Sequence, residues 1–135
     1  MSYYGITERY SPDHTIPAEA SETLYARRFI KLGANQSEMD LCDAAGEQAH
    51  GVLTSHNLVE TISDGDDISY VYFGDVKMDC GGTFAIGDDI TTDNTGQAIK
   101  AETSTHKILG VALTAGADGS IGCVRINLPG RDAVA

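Results

Sequence analysis

Residues 79–101, DCGGTFAIGDDITTDNTGQAIKA, contain the arrangement of turn and strand residues on which the fold assignment depends. Short apolar pieces alternate with four glycines and with aspartate or asparagine. Gly87 and Gly96 can adopt positive φ angles, and Asp and Asn side chains close turns by bonding to nearby backbone groups. The stretch therefore predicts short strands joined by tight turns.

Two kinds of binding loop have a similar composition, but their residue spacing differs. An EF-hand calcium loop starting at Asp88 would need oxygen ligands at its third and twelfth positions, which are Ile90 and Ile99. The run GGTFAIG (residues 81–87) lacks the Lys-Ser/Thr pair of a phosphate-binding P-loop. The sequence therefore predicts neither a metal nor a cofactor at this stretch.

Apolar and polar residues alternate with a period of two over much of the chain after Leu24. In VKMDC (76–80) and VRINL (124–128) every second residue is apolar, as in a strand with one buried face. DISYVYFG (67–74) and HKILGVALTA (106–115) have the richer apolar content of strands buried on both faces. Glycine turns punctuate these runs at a spacing typical of a small sandwich or barrel. We therefore expect a mostly β domain with at most short helical turns, one of them in DAAGEQAHG (43–51).

The first 23 residues differ in composition from the rest. They hold two of the three prolines, one of the 15 glycines, and the tyrosines Tyr3, Tyr4 and Tyr10. This composition predicts an extended N-terminal arm over residues 1–23, with a helical turn after Pro17, followed by a β-rich domain over 24–130 and a tail over 131–135. Aromatic side chains on such an arm need a surface to cover them, either on a partner or on the arm's own domain.

Charge and composition exclude several classes of protein. Residues 1–31 carry four acids and four bases, so the remaining residues hold the whole net charge of −11. Such a body repels phosphate backbones, so we expect no nucleic-acid partner. No apolar run approaches 18 residues and the N-terminus lacks the pattern of a signal peptide, so we expect no membrane span and no secretion. Without an oxidising compartment, Cys42, Cys80 and Cys123 are predicted to be buried thiols.

No arrangement of residues predicts catalysis. The four histidines, at positions 14, 50, 56 and 106, lie in polar, loop-like stretches, and no G-x-S-x-G nucleophile motif occurs. DVKMD around Lys77 is faintly similar to the M-K-M hairpin of biotinyl and lipoyl carrier domains, but Val76 replaces the first methionine. The alternation places Lys77 in the middle of a strand on a solvated face. We therefore expect a protein without enzymatic activity.

The order of motifs after Arg27 resembles that of the capsid decoration, or head cement, proteins of tailed bacteriophages. A Gly-Gly strand entry, a Gly-Asp turn, a T-x-D-x-x-G-x-A hairpin, a G-V-A-L strand and a final alternating strand follow one another. The matching positions are Gly81, Gly82, Gly87, Asp88, Thr92, Asp93, Gly96, Ala98, Gly110, Val111, Ala112 and Leu113. RRFIKLG (27–33) and AAGEQAHGVL (44–53) resemble that family's first strand and first hairpin.

The resemblance implies a small barrel-like or tulip-shaped β fold that assembles as homotrimers on the outer surface of the virion. There it would contact the major capsid protein, join neighbouring capsomers and stabilise the expanded head, without a cofactor. On this basis we expect capsid or subunit contacts from two places. These are the arm, through Tyr3, Tyr4, Arg9 and Tyr10, and the start of the body, through Arg27 and Arg28.

Three other functions remain open on the sequence. The chain could form a different virion part, either the base of a head fibre or a neck ring. Less favoured is a biotinyl or lipoyl carrier domain modified at Lys77. The long arm and the SDGDDISYVYFG segment (63–74) depart from the decoration-protein pattern. These two departures leave the contact residues as predictions only.

Overall fold

The computed structural model describes residues 15–53 and 61–132, with side chains described for residues 18–53 and 61–131. These residues form strands and turns without a helix, and the predicted mostly β fold is confirmed. In chain order the strands are β1 (Thr15–Ala20), β2 (Leu24–Tyr25), β3 (Phe29–Leu32), β4 (Glu38–Leu41), β5 (Gly51–Val52), β6 (Thr61–Ile62), β7 (Asp67–Val71), β8 (Phe73–Asp79), β9 (Asp89–Thr92), β10 (Ala98–Lys100), β11 (Lys107–Ala112) and β12 (Ile121–Asp132).

Five strands close into a barrel in the order β1-β4-β3-β5-β7. β1 lies antiparallel to β7, with Thr15 opposite Val71 at one end of the pair. On its other side β1 lies parallel to β4, with Ala20 opposite Met39. The other neighbours in the barrel are antiparallel. β1 thus joins β4 to β7, and without it both strands would present a free edge.

A second sheet is antiparallel and has the strand order β10-β9-β11-β12-β8. Its longest strand, β12, pairs with β8 from Ile121 opposite Asp79 to Asn127 opposite Phe73. β12 also pairs with β11 in two stretches separated by an irregularity, after which Arg131 lies opposite Ile108. β2 and β6 form a separate two-stranded sheet.

The alternation read from the sequence determines which side chains enter the core. In β8 and β12 the apolar positions are buried, among them Val76, Met78 and Val124. They belong to one cluster with Phe29 and Val71 of the barrel strands, so the second sheet and the barrel share a core. The other cluster lies among the barrel strands and the two-stranded sheet and consists of Ala20, Leu24, Ile30, Met39, Leu53, Ile62, Ile68 and Tyr70.

The structure differs from the sequence-based division at both ends of the domain. Residues 15–20, assigned to the arm, are barrel strand β1, and the helical turn expected after Pro17 is strand instead. Residues 131 and 132, assigned to the tail, belong to β12 and pair with β11. DAAGEQAHG forms a turn in which Glu47 N donates to Ala44 O at 3.2 Å. The pairing partners of β1 lie far along the chain, which a local pattern does not reveal.

Burial on both faces, expected for two strands, is only partly observed. In β7 residues alternate between exposed and buried up to Tyr70, and only the end of the strand is buried continuously. In β11 three successive residues from Ile108 are buried, but Val111 is exposed. One face of each strand therefore reaches the surface. Among the described residues, no helix has the length and apolar character needed to cross a membrane.

Candidate functional site

The six predicted contact residues fall into two groups. Tyr3, Tyr4, Arg9 and Tyr10 lie outside the described residues. Arg27 and Arg28 lie in the short connection between β2 and β3, at the junction of the barrel with the second sheet. Both arginines belong to the described residues and contact other residues of the chain.

Asp79, the last residue of β8, binds both arginines. Arg27 Nε donates to Asp79 Oδ1 at 2.9 Å, and Arg28 Nε donates to Asp79 Oδ2 at 3.3 Å. The Asp79 amide also donates to the Arg27 carbonyl oxygen at 2.9 Å. The arginine side chains are only 13% and 21% exposed. Because charge-assisted hydrogen bonds are the stronger kind, this junction ties the barrel to the second sheet.

Arg28 makes further side-chain contacts, and Arg27 is held by its backbone. Arg28 Nη1 donates to the carbonyl oxygen of Thr95 at 3.1 Å, and its guanidinium lies 4.9 Å from the centre of the Tyr25 ring. Arg27 has a φ angle of 62°, an uncommon conformation for a residue with a side chain. Its amide donates to Leu53 O at 2.6 Å. Both arginines thus have partners within the chain, and their role in contacts with capsid or sister subunits stays a prediction.

The outer face of the second sheet carries exposed apolar side chains around an ion pair. Val111 lies opposite Arg125, which lies opposite Asp75 on β8, so the three side chains form one row. Arg125 donates to Asp75 through Nε at 2.7 Å and through Nη2 at 3.1 Å. Phe73, 43% exposed, and Ile121, 38% exposed, lie on the same face because they alternate in register with this row.

A groove of about 340 Å³ runs along this face. Its apolar lining includes Phe73, Val111 and Leu128, and its polar lining includes Arg125 and Arg131. The side chains of both arginines are exposed, and each has a carboxylate partner: Asp75 for Arg125 and Asp89, at 3.8 Å, for Arg131. We call this feature the β11–β12 groove. It combines an apolar floor with these two ion pairs at its edge.

The acidic residues of the opening stretch act in turns, as the sequence predicted. Gly87 and Gly96 have φ angles of 90° and 80°. Asp88 Oδ2 accepts a hydrogen bond from the Ala85 amide at 2.8 Å, and Asp93 Oδ1 accepts from the Thr95 and Gln97 amides at 2.8 and 2.9 Å. Within residues 15–53 and 61–132, no three His, Cys, Asp or Glu side chains are grouped as metal ligands would be.

Cys42, Cys80 and Cys123 are buried and not joined in disulfides, which confirms their sequence interpretation. Burial raises the pKa of the Cys42 thiol to about 12 and also raises the pKa of Cys80. A thiol of raised pKa is a poor nucleophile because the reactive thiolate is scarce. Burial lowers the pKa of His50, whose Nδ1 atom is enclosed without a hydrogen-bond partner. Cys42 and Cys80 belong to the core shared by the barrel and the second sheet, whereas His50 is half-buried.

Lys77 lies in the middle of β8, opposite Cys123 of β12. The modified lysine of a biotinyl or lipoyl carrier lies at the tip of a hairpin, where a ligase can reach it. The placement of Lys77 within a paired strand is therefore unlike that of a carrier lysine.

The β11–β12 groove is the feature that the sequence interpretation missed. Its lining comes from three strands, and Phe73 and Arg131 are 58 positions apart in the chain. One local signal for an apolar outer face was available: Ile121, which lies outside the groove lining, precedes Arg125 and Asn127 at the period of the solvated face, although it is apolar. An apolar residue at a solvated position is a sign of a contact surface, but a single one is common on protein surfaces.

Comparison with known proteins identifies the fold. No family model and no curated protein matches the chain. Among solved structures, the N base of the head fibre protein gp8.5 of bacteriophage phi29 is similar, with a TM-score of 0.66 and 16% sequence identity. The similarity covers 89% of this chain and 98% of that chain. Over 89% of its length, the chain therefore has a fold similar to that of a phage head fibre base.

Proposed function

We propose that this chain is a non-enzymatic structural protein of a phage virion, which binds the major capsid protein on the outer surface of the head as a homotrimer. The near-complete fold similarity to a head fibre base carries the proposal. The order of decoration-protein motifs from Arg27 to Leu128 supports it independently, because it comes from the sequence alone. Both observations concern proteins of the phage head.

The properties of the described residues suit a structural role. The three thiols are buried, burial raises the pKa of Cys42 and Cys80, and the acidic loop residues Asp88 and Asp93 accept hydrogen bonds in turns. A protein that binds the expanded shell, and not a collapsed or burst one, stabilises that state by mass action. Many copies on one head add avidity without requiring a strong individual contact.

Two roles on the head surface are consistent with these observations. The fold similarity favours the base of a head fibre, since the similar phi29 structure is described as a head fibre N base. The motif order favours a cement protein that joins neighbouring capsomers. The roles differ in their consequences, because a cement protein raises the resistance of the head to heat and a fibre base need not.

Binding to purified expanded heads that lack this protein tests the proposal. The protein alone should have a solution mass near three times 14.3 kDa by light scattering. We expect saturable binding at a fixed copy number that is a multiple of three. An increase in the temperature of head disruption would identify a cement, whereas saturation without that increase would identify a base. A copy number restricted to one vertex would indicate a neck ring, and absence of binding would contradict the proposal.

The alternative of a biotinyl or lipoyl carrier is tested by measuring the intact mass of the protein. The protein would be produced together with a biotin or lipoate ligase, and its intact mass determined. We expect the unmodified mass, because Lys77 lies within a paired strand. An adduct on Lys77 would contradict the structural role as the sole function.

A further inference from the structure

The barrel closes through a short contact between β1 and β4, which we call the β1–β4 seam. The seam has two register pairs, Glu19 opposite Glu38 and Ala20 opposite Met39. On its other side β1 has five register pairs with β7. The seam is also parallel, and parallel pairing is slightly less stable per residue than antiparallel pairing. β1 is therefore held more weakly by β4 than by β7.

Three carboxylates lie in one row across this seam. Glu19 lies opposite Glu38 on one side and opposite Asp67 of β7 on the other. Paired residues project from the same face of a sheet, and this face is outside the barrel because the next pair, Ala20 and Met39, is buried. Neighbouring strands are about 4.8 Å apart, so like charges at paired positions repel each other.

No lysine or arginine within residues 18–53 and 61–131 forms an ion pair with this row. Next to Glu38 on its other side is Gly33, whose amide donates to Glu38 O at 2.7 Å. The side chain of Asn35 donates to Glu38 Oε1 at 2.8 Å, but it carries no charge. The ion pairs of the described residues involve other carboxylates, which are Asp43, Glu47, Asp75, Asp79, Asp88 and Asp89.

The space beside the seam is incompletely filled. A pocket of about 380 Å³ lies there, and its lining includes Ala18 of β1, Glu38 and Met39 of β4, and Tyr70 of β7. Side chains that line an empty space lack the dispersion contacts of a packed core. Ser37, just before β4, has a φ angle of 65°, which is uncommon for a residue with a side chain. Packing and backbone geometry thus add to the weakness that the charges produce.

We infer that the β1–β4 seam is a built-in opening of the barrel, at which repulsion of Glu19 separates β1 from β4 while β1 stays paired with β7. Local openings of this kind occur where few contacts hold an element. Salt closes the seam by screening the repulsion. The open form presents two strand edges to which another strand can pair. The opening belongs to the free chain, so failure of this inference and failure of the proposed virion role are separate outcomes.

Amide hydrogen exchange of the full chain, followed residue by residue by NMR, tests the opening. The Ser21 amide donates across the seam to Met39 O at 3.1 Å, whereas the Ala20 amide donates to Asp66 O, beside β7, at 2.9 Å. The measured quantity is the ratio of their exchange rates, each corrected for the rate in an unstructured peptide. Because the two amides are neighbours, this ratio is insensitive to the effect of salt on the exchange chemistry.

In about 20 mM salt we expect Ser21 to exchange faster than Ala20. In about 0.5 M salt the ratio of the two rates should fall about two- to fivefold, because repulsion between the paired carboxylates is screened. Equal rates for Ser21 and Ala20 in low salt would mean that β1 leaves both neighbours together. That result, or a ratio that does not change with salt, would overturn the inference.

Charge reversal at Glu19 provides a second measurement. In Glu19→Lys the row attracts instead of repelling, so the ratio should be lower than in the unmodified protein in low salt and should rise with salt. Glu19→Gln should give an intermediate ratio with little salt dependence. Glu102→Lys, at an exposed position between β10 and β11, changes the net charge equally and should behave as the unmodified protein. The same direction of salt dependence in Glu19→Lys and in the unmodified protein would refute the opening.

Discussion

At the scale of single residues, Asp79 holds the junction between the barrel and the second sheet. It accepts hydrogen bonds from Arg27 and Arg28, and neither partner is largely exposed. Asp79→Ala would leave two arginines without their carboxylate in a partly buried position. We expect a loss of about 2 kcal/mol in the free energy of unfolding, measured by urea denaturation. Asp64→Ala, at an exposed turn position, is the control and should change this free energy by less than about 0.5 kcal/mol.

Gly110 is required by the close approach of two strands. A Cβ atom at this position would overlap the Arg125 carbonyl oxygen and lie 2.9 Å from Val124 Cγ1. Gly110→Ala should therefore destabilise the protein by about 1–3 kcal/mol, because backbone atoms must shift. At Gly82 an added Cβ would be 3.6 Å from Ile99 Cγ2, an ordinary contact, so Gly82→Ala is the matched control. Equal thermal midpoints for the two variants would disprove the steric explanation.

His50 makes stability depend on pH. Burial holds its pKa in the folded protein below the ordinary value of 6.5, so the unfolded chain binds a proton more readily. This residue therefore has no effect well above pH 6.5 and destabilises the fold as the pH falls through 6.5 towards its folded pKa. We expect the free energy of unfolding to decrease from pH 7.5 to pH 5.5 by less in His50→Asn than in the unmodified protein. A decrease of the same size in both would show that His50 does not contribute.

At the scale of elements, β1 completes the barrel. It lies between β4 and β7, with five register pairs to β7 and two to β4. Deletion of residues 1–20 would expose the edges of both neighbours, so we expect loss of cooperative thermal unfolding and aggregation. Deletion of residues 1–12 removes only chain before this strand and should preserve a cooperative transition. A cooperative transition in the longer deletion would mean that the barrel does not need β1.

In the second sheet, strand alternation places the core residues on the inner face and the exposed residues on the outer face. Its inner residues, such as Val76 and Val124, pack against the barrel. Its outer row of Val111, Arg125 and Asp75 contributes an ion pair and exposed apolar surface. Substitutions at the exposed positions of this row, such as Val111, should therefore leave the core contacts in place.

At the scale of the whole molecule, the N-terminal segment is predicted to contribute to binding of the shell. Tyr3, Tyr4 and Tyr10 would provide aromatic contact area, and Arg9 a polar contact. Deletion of residues 1–12 should lower the occupancy of expanded heads while leaving the domain folded and trimeric. Occupancy would be measured by the amount of protein that sediments with heads, and unchanged occupancy would contradict the prediction.

The local sequence determined the secondary structure to a large extent. Alternation identified the buried faces of β8 and β12, because the side chains of a strand point to opposite faces in turn. Glycines at turn positions were recognised because Gly87 and Gly96 adopt φ angles that other residues rarely reach. The burial of the cysteines also followed from their apolar neighbourhoods. Each of these properties depends on residues close together in the chain.

Only the tertiary structure decided how these elements meet. The sequence did not place Thr15–Ala20 in a barrel, because its partner β7 lies about fifty residues further along the chain. It marked Arg27 and Arg28 as contact residues but could not show that both bind Asp79, which is 51 or 52 positions away. The β11–β12 groove likewise exists only where three strands lie side by side. Strand formation follows from the local pattern of apolar and polar residues. The junction and the groove depend instead on contacts between residues far apart in the chain, and only the packing of the folded chain determines those contacts.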